Sequence, residues 1–276
     1  MELFDLSGLL FSAAIFIPLE RLIPRNKDQR LLRPLIRLDL AYIFFNGLII
    51  RVASVAFVVA GVTIGAKLTP SAWIDSVSSL PVIVQVFAII VVVDLGLYFV
   101  HRAFHEVPIL WRIHAIHHSI EDLDWLAGYR IHPIDQIFTR TMTYTPAFML
   151  GFSDTAVYIS FLIYHWQSLF IHSNVNINLG PFRWLAASPE FHHWHHANEK
   201  EALDKNFAAQ LPFIDVIFGT AFMPLNRRPK RYGTDTPTPK TYLAQVIEPL
   251  RPAKTPPPIG QTDNPHDRNV HSAPGQ

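Results

Sequence analysis

Long apolar runs separated by short charged ones dominate the chain, and they set the elements it predicts. The first, Leu6 to Leu19, is short for a membrane span, reaching about 20 Å as a helix. The second, Leu40 to Ala66, is longer but contains Asn46 and Arg51, and the third, Val82 to Val100, is interrupted by Gln85 and Asp94. A fourth, from Ile134 to Ile171, is broken in its middle by Gly151-Phe-Ser-Asp154. These blocks predict an all-α integral membrane protein with about four membrane-embedded helices. The opening Met-Glu-Leu-Phe-Asp lacks a basic leader, so the first run reads as an anchor and not as a cleaved signal peptide.

Charge between the runs suggests an orientation. Arg21, Arg25, Lys27, Arg30, Arg33 and Arg37 lie between the first two, whereas Lys67 is the basic residue between the second and third. The positive-inside rule then puts the first loop, and by parity the end of the third run, in the cytoplasm. For the later histidines to emerge on that same side, the fourth run must turn back on itself. Gly-Phe-Ser-Asp is a good turn and cap for a following helix, which predicts a re-entrant hairpin. Gly61-x-x-x-Gly65 is a weak helix-packing signal.

The organisation that follows is an anchor over residues 1–80, a catalytic unit over 81–222, and a Pro-rich, largely disordered tail over 223–276, which holds half of the 22 prolines. Overall the chain is 50% hydrophobic and 16% charged, with a formal net charge of +1, which gives no case for nucleic-acid binding. The absence of Cys removes disulfides, iron–sulfur clusters, thiolate zinc sites and a Cys nucleophile.

Histidine carries the chemistry. Twelve of the 14 lie between His101 and His196. Three groups stand out: His101-x3-His105, His114-x2-His117-His118 and His192-x2-His195-His196. Residues three and four apart share a helix face at about 5–6 Å, so imidazoles on adjacent turns can close on one metal ion. A lone buried His is usually a hydrogen-bonded core residue, but so many crowded lone pairs need a cation. Eight clustered imidazoles exceed what one ion with an open position can use, so two metals are expected. His172 is placed as a ninth ligand, and His132 as a further ligand or a turn residue. His165 reads as pocket packing, and His193 as outer or exposed.

Asp94, Tyr98, His101 and His105 form one polar stripe on an apolar helix. A carboxylate there is costly and tends to be functional. Asp94 is therefore expected to fix the tautomer of a ligand His, with pairing to Arg51 or Asn46 as the alternative. Glu190 is a second such candidate. Trp125 and Tyr129 sit in a loop that could cover the substrate. No Gly-x-Gly-x-x-Gly, P-loop or His-Glu-x-x-His occurs, so a redox enzyme of this kind would take its electrons from a partner. A membrane metal carrier or zinc-binding protein, and a b-type haem protein, remain as alternatives on these residues alone.

The three His groups resemble those of the fatty acid hydroxylase/sterol desaturase superfamily. The likeness extends to Asp94 and Tyr98 before the first group, Arg130-x-His132-Pro133, Phe170-Ile-His-Ser-Asn174, Ser188-Pro-Glu-Phe-His192, Asp204-Lys-Asn-Phe207 and Asp215-x-x-Phe-Gly-Thr220, over roughly residues 85 to 222. The resemblance implies a membrane-embedded, non-haem di-iron oxygenase whose cytosolic helical cap holds the dimetal site. It implies O₂ as co-substrate, electrons from NAD(P)H through a separate redox protein, and hydroxylation or desaturation of a lipid. By the same resemblance the eight box histidines and His172 are the ligands. For a bacterial member the location would be the inner or plasma membrane, with the site facing the cytoplasm.

Overall fold

Proline sets where the helices that carry histidine begin. In the computed structural model, which describes residues 6–251, the long helix α4 (Val82–Glu106) stops at Val107, whose backbone is extended, and α5 (Pro108–His118) starts at the next residue. The same device opens α6 (Pro133–Met149) after His132 and α8 (Pro189–His195) after Ser188. A proline disfavours helical geometry in the residue before it, and its own fixed φ suits the first helical position, where no N–H is needed. His132 and Ser188 then cap with their side chains, accepting from the N–H groups of Ile134 and Phe191. Each histidine segment is thereby fixed at a sharp corner.

The remaining helices are α1 (Leu6–Leu22), α2 (Ile36–Leu68), α3 (Ser71–Ser78), α7 (Asp154–His172), α9 (Phe213–Phe218) and α10 (Tyr242–Ile247). Among the described residues there is no strand beyond an isolated bridge, Pro24 with Val175. Helix α4 packs on both α6 and α7, and α2 packs on α6. At Gly61 and Gly65, a Cβ would come within 3.2 Å and 3.1 Å of Phe148 on α6, so the glycine pair is a close helix contact.

Among the described residues, α4 alone is long and apolar enough to cross a membrane, against the four membrane-embedded helices expected. Two reasons are visible. Helix α1 has 17 residues with Pro18 inside, and α6 presents Asp135, Gln136, Thr139, Arg140 and Thr143 within its first three turns. The chain does turn at residues 150–153: α6 leaves the histidines at Asp135 and α7 returns to them at His172. Gly151 makes that turn at φ +83 with its Cα facing Ile74, where a Cβ would lie 2.8 Å from the Ile74 Cα. Large apolar side chains, including Leu10, Phe44, Leu48, Ile83 and Phe87, are exposed on α1, α2 and α4.

The N-terminal helices hold the loops beside the histidines. Asp39, at the start of α2, pairs with Arg33 at 2.8 Å and with Arg130 at 2.5 Å, and Arg33 pairs with Asp124 at 2.6 Å. Glu20 on α1 accepts from the backbone N–H groups of both Trp125 and Asn174. The two loops that flank the histidines are thus clamped from the first 40 residues. The tail expected over 223–276 is likewise ordered in its first half: Tyr242 packs on Tyr42 and Phe45, and its hydroxyl donates to Asn46. Residues 252–276, including His266 and His271, lie outside the described residues, as does the side chain of Arg51.

Removing one partner of a buried ion pair leaves an uncompensated charge and costs about 3–5 kcal/mol. Asp39→Ala is therefore expected to lower the thermal midpoint of the detergent-solubilised protein strongly; a midpoint within a degree of the parent would refute the clamp.

Candidate functional site

The corners bring nine imidazoles into two groups. In the first, His101 and His105 at the end of α4 meet His114 and His118 of α5 and His195 of α8. In the second, His117 of α5 and His172 at the end of α7 meet His192 of α8 and His196, which caps its C-terminus. Within each group one nitrogen of every ring lies within 4.8 Å of the others. Helix geometry explains the split. His114 and His118 are one turn apart on one face of α5, and His117, next to His118, is rotated onto the other. Helix α8 repeats this with His192 and His196 on one side and His195 on the other. His118 and His196 stack between the groups, with ring centroids 4.5 Å apart.

Six of the nine outer nitrogens are tied down one by one. Nδ1 of His101 donates to the Phe207 carbonyl at 2.8 Å, and that of His195 to the Lys205 carbonyl at 2.8 Å. Nδ1 of His117 donates to the Arg130 carbonyl at 3.1 Å, and that of His172 to the Ser168 carbonyl at 2.6 Å. His114 Nδ1 lies 2.7 Å from the Asp135 carboxylate, and His105 Nδ1 lies 3.3 Å from that of Asp204. The segment 204–207 therefore orients three rings of the first group. To aim successive groups at different rings it takes left-handed geometry at Asp204 (φ 56) and Asn206 (φ 60), which Asp and Asn tolerate better than most residues.

With protons on Nδ1, the inner Nε2 atoms carry bare lone pairs, and these face one another. His101 and His114 approach Nε2 to Nε2 at 3.1 Å, as do His117 and His172, and His192 comes within 2.9 Å of His172. Two lone pairs at that distance repel unless something positive lies between them. In the His101–His114 and His117–His172 pairs, a proton could serve only if a ring gave up its outer hydrogen bond. Burial moreover pushes His114, His117, His118, His192, His195 and His196 well below the ordinary histidine range, so the rings are neutral. Nε2 of His105, His118 and His195 are buried and have no protein partner. Two nitrogens bonded at right angles to one metal, at about 2.1 Å each, would be about 3.0 Å apart. The donor set fits metal ions.

Other expected residues fall elsewhere. His132 joins neither group: it caps α6 through Nδ1, and its Nε2 lies 3.0 Å from the Val246 carbonyl. The alternative partner Arg51 has its side chain outside the described residues, and Asp94 pairs with no described histidine nitrogen and not with Asn46. It accepts from the backbone N–H groups of Ala209, Gln210 and Leu211 and from the Tyr164 hydroxyl, because a buried carboxylate takes whatever donors surround it. Its effect on His101 is indirect, through the loop that carries Phe207. Glu190 is half-buried near Arg25, and no described histidine nitrogen pairs with it. His193 is buried, not exposed; Nε2 lies 3.1 Å from the Ser173 carbonyl and Nδ1 3.1 Å from the Tyr232 hydroxyl.

The carboxylates that do lie against rings are Asp204 at His105 and Asp135 at His114; the sequence reading gave neither this role, and Asp135 is the buried one. Its signal was available, an acid three residues after His132-Pro133, but it reads equally as an ordinary acidic first-turn residue. Most of the remaining partners are backbone carbonyls and have no side-chain signature.

The groups open on two sides. One is a cavity of about 220 Å³ between α4, α6 and α7, reaching His101, His114, His117, His172 and His192. Tyr129 and His165 line it, while Trp125 packs behind it against Phe16. The other is a more polar cleft under residues 233–239 that reaches His105, His118, His195 and His196.

Residues 86–220, which include all nine rings, match the fatty acid hydroxylase family. The chain belongs to that family. Its relatives include ornithine lipid hydroxylase OlsE of Rhizobium tropici, 30% identical over 62% of this chain and 51% of that protein. Human alkylglycerol monooxygenase is 39% identical over 46% of this chain and 28% of its own. Methylsterol monooxygenase 1 of Gallus gallus is 26% identical over 55% and 50%. The chain thus spans about half or less of the length of these relatives. No solved structure matches.

Neutral burial of these rings has a pH signature in the metal-free protein. Unfolded histidines take up protons below about 6.5, whereas the folded ones resist. The unfolded state then binds more protons, and stability falls as pH falls. Thermal midpoints of the metal-free protein should drop between pH 7.5 and 5.5; a flat or rising profile contradicts neutral burial.

Proposed function

We propose that this protein is a membrane-bound di-iron oxygenase that hydroxylates or desaturates a lipid, taking O₂ as co-substrate and electrons from NAD(P)H through a separate redox protein. The observation that supports this best is the pair of histidine groups whose inner nitrogens face one another at about 3 Å beside an apolar cavity. In this reading His101, His105, His114, His118 and His195 hold one iron, and His117, His172, His192 and His196 the other. Bound there, the two irons supply the activation of O₂ that cleavage of an unactivated C–H bond requires.

The chain's own part is positioning and exclusion of water. The outer hydrogen bonds fix the tautomer and aim of the six rings that have them, and Asp135 raises the basicity of His114 by accepting its Nδ1 proton. The cavity walls from α4 and α7, including Val93, Leu97, Phe161 and Leu169, keep bulk water from the reacting carbon. Exposed apolar residues on α1, α2 and α4 suit contact with lipid tails, which lets a lipid substrate enter sideways from the bilayer. The histidine groups would then lie on the cytoplasmic side, with the turn at 150–153 dipping into the membrane. The relatives' names describe lipid hydroxylases and monooxygenases, which agrees with this reading against a metal carrier or a haem protein.

Iron analysis after iron-replete expression should give two ions per chain, and lipid extracts of producing cells should show a species shifted by one oxygen gained or two hydrogens lost. Absence of any transition metal, even on reconstitution, would sink the proposal. His117→Ala and His195→Ala should each abolish turnover, and full activity in either refutes the ligand assignment. Asp135→Asn should weaken iron retention about 10–100-fold in chelator competition; retention equal to the parent refutes its role.

A further inference from the structure

The run from Arg21 to Arg37 joins α1 to α2, and its polar residues divide by where they point. Three face inward. Arg25 is buried against Tyr232, Gln29 donates to the Leu123 carbonyl at 2.9 Å, and Arg33 pairs with Asp124. The backbone of the run is tied down as well: the N–H groups of Arg25 and Asn26 donate to the carbonyl and side-chain oxygens of Asn174 at 2.9 Å and 2.7 Å, and that of Asn176 donates to the Ile23 carbonyl at 2.8 Å. The run is therefore a fixed surface and not a loose loop. Arg21, Lys27 and Arg30 face outward, and their side chains make no ion pair among the described residues.

These three cations line one cleft of about 200 Å³, together with Ile17, Leu31, Leu32, Trp125 and Leu126. Two acids that border it are engaged: Glu20 accepts from two backbone N–H groups, and Asp124 is paired with Arg33. The cleft shares no lining residue with the cavity beside the histidines. The short helix Trp125–Tyr129 stands between them, giving Trp125 and Leu126 to the cleft and Gly128 and Tyr129 to the cavity. At its rim Leu22 and Leu32 are 78% and 74% exposed, next to the exposed apolar sides of α1 and α2. Cations set beside exposed leucines at the ends of such helices match the boundary between headgroups and acyl chains.

We propose that this cleft holds the phosphate of an anionic phospholipid from the surrounding leaflet, with Arg21, Lys27 and Arg30 as its contacts and the acyl chains along the leucines. This rests on the membrane-bound reading and not on the oxygen chemistry. Each Lys or Arg near an anionic leaflet adds to the attraction, and the guanidinium fork matches two phosphate oxygens at once. The leucines select a lipid over a soluble anion, which would leave them bare. Bound there, the lipid braces the segment that carries Glu20, and with it the two loops that Glu20 holds, without itself reaching the histidines.

Metal-loaded full-length protein in dodecyl maltoside, exposed to phosphatidylglycerol and phosphatidylcholine of the same acyl chains, tests this by native mass spectrometry of the retained lipid. One phosphatidylglycerol per chain should bind about 10–100-fold more tightly than phosphatidylcholine. Arg21→Gln, Lys27→Gln and Arg30→Gln combined should abolish the preference with metal content unchanged. Lys200→Gln, at an exposed cation outside the cleft, should keep it, and Leu31→Ser with Leu32→Ser should weaken binding of both lipids. Equal binding of the two lipids by the parent overturns the proposal, as does a folded triple variant that keeps the preference. If the triple variant does not fold, an undiminished preference in both Arg21→Gln and Arg30→Gln overturns it. Displacement of the lipid by inorganic phosphate or by an oligoglutamate peptide at equal concentration would assign the cleft to a soluble anion and overturn it too. A parent with the preference but no mass-shifted product counts against the oxygenase reading alone; product without the preference counts against this site alone.

Discussion

Nine neutral imidazoles with their lone pairs turned inward cannot sit together on hydrophobic packing alone. Their mutual repulsion must be resisted by the outer hydrogen bonds, and much of the surrounding structure can be read as supplying those bonds. Asp215 accepts from the N–H groups of Phe207 and Ala208, and Asn206 donates to the carbonyls of Phe191 and Phe222. Asp94 holds the next three residues. The loop from 204 to 211 is pinned along its length so that Asp204, Lys205 and Phe207 can each restrain one ring. On the other side, the Arg130 carbonyl restrains His117 while the Arg130 guanidinium is fixed by Asp39. The constraint is transmitted from the site outward to the first helices.

Seen in that way, the sequence was legible where side chains carry the message. The spacing of His114, His117 and His118, repeated at His192, His195 and His196, identifies helices whose faces converge, and these six rings meet His101, His105 and His172. His172 could be placed because it ends a helix that has to return. The chain turns near Gly151, where the hairpin argument expected a turn, and α7 returns it to the histidine groups. Backbone carbonyls are silent in a sequence, so the partners of His101, His117, His172 and His195 were not readable.

Composition misled in three places. Averaging over Ile134 to Ile171 concealed that α6 has a polar face directed inward, so its hydropathy described its outer surface and not its role. The arginines between the first two helices were counted as loop charge that sets orientation. Arg33 is in fact buried between Asp39 and Asp124, and Arg25 is largely buried as well. Charge that is neutralised inside the fold contributes little to topology, which weakens the inference drawn from that loop. The tail was read from proline content, although proline at 237 and 239 only shapes a covering segment whose continuation, with Tyr242 and Gln245, packs on the helices.

Both α5 and α8 contribute rings to each histidine group, with His117 beside His118 and His195 beside His196 facing opposite ways. The two groups therefore share two walls. A small rotation of either helix that improved one group would degrade the other, so the separation between them is set by peptide geometry and not by adjustable loops. The pair thus behaves as a single unit: substitutions along α6 beyond Asp135 can redraw the cavity, but neither group can be retuned without its twin.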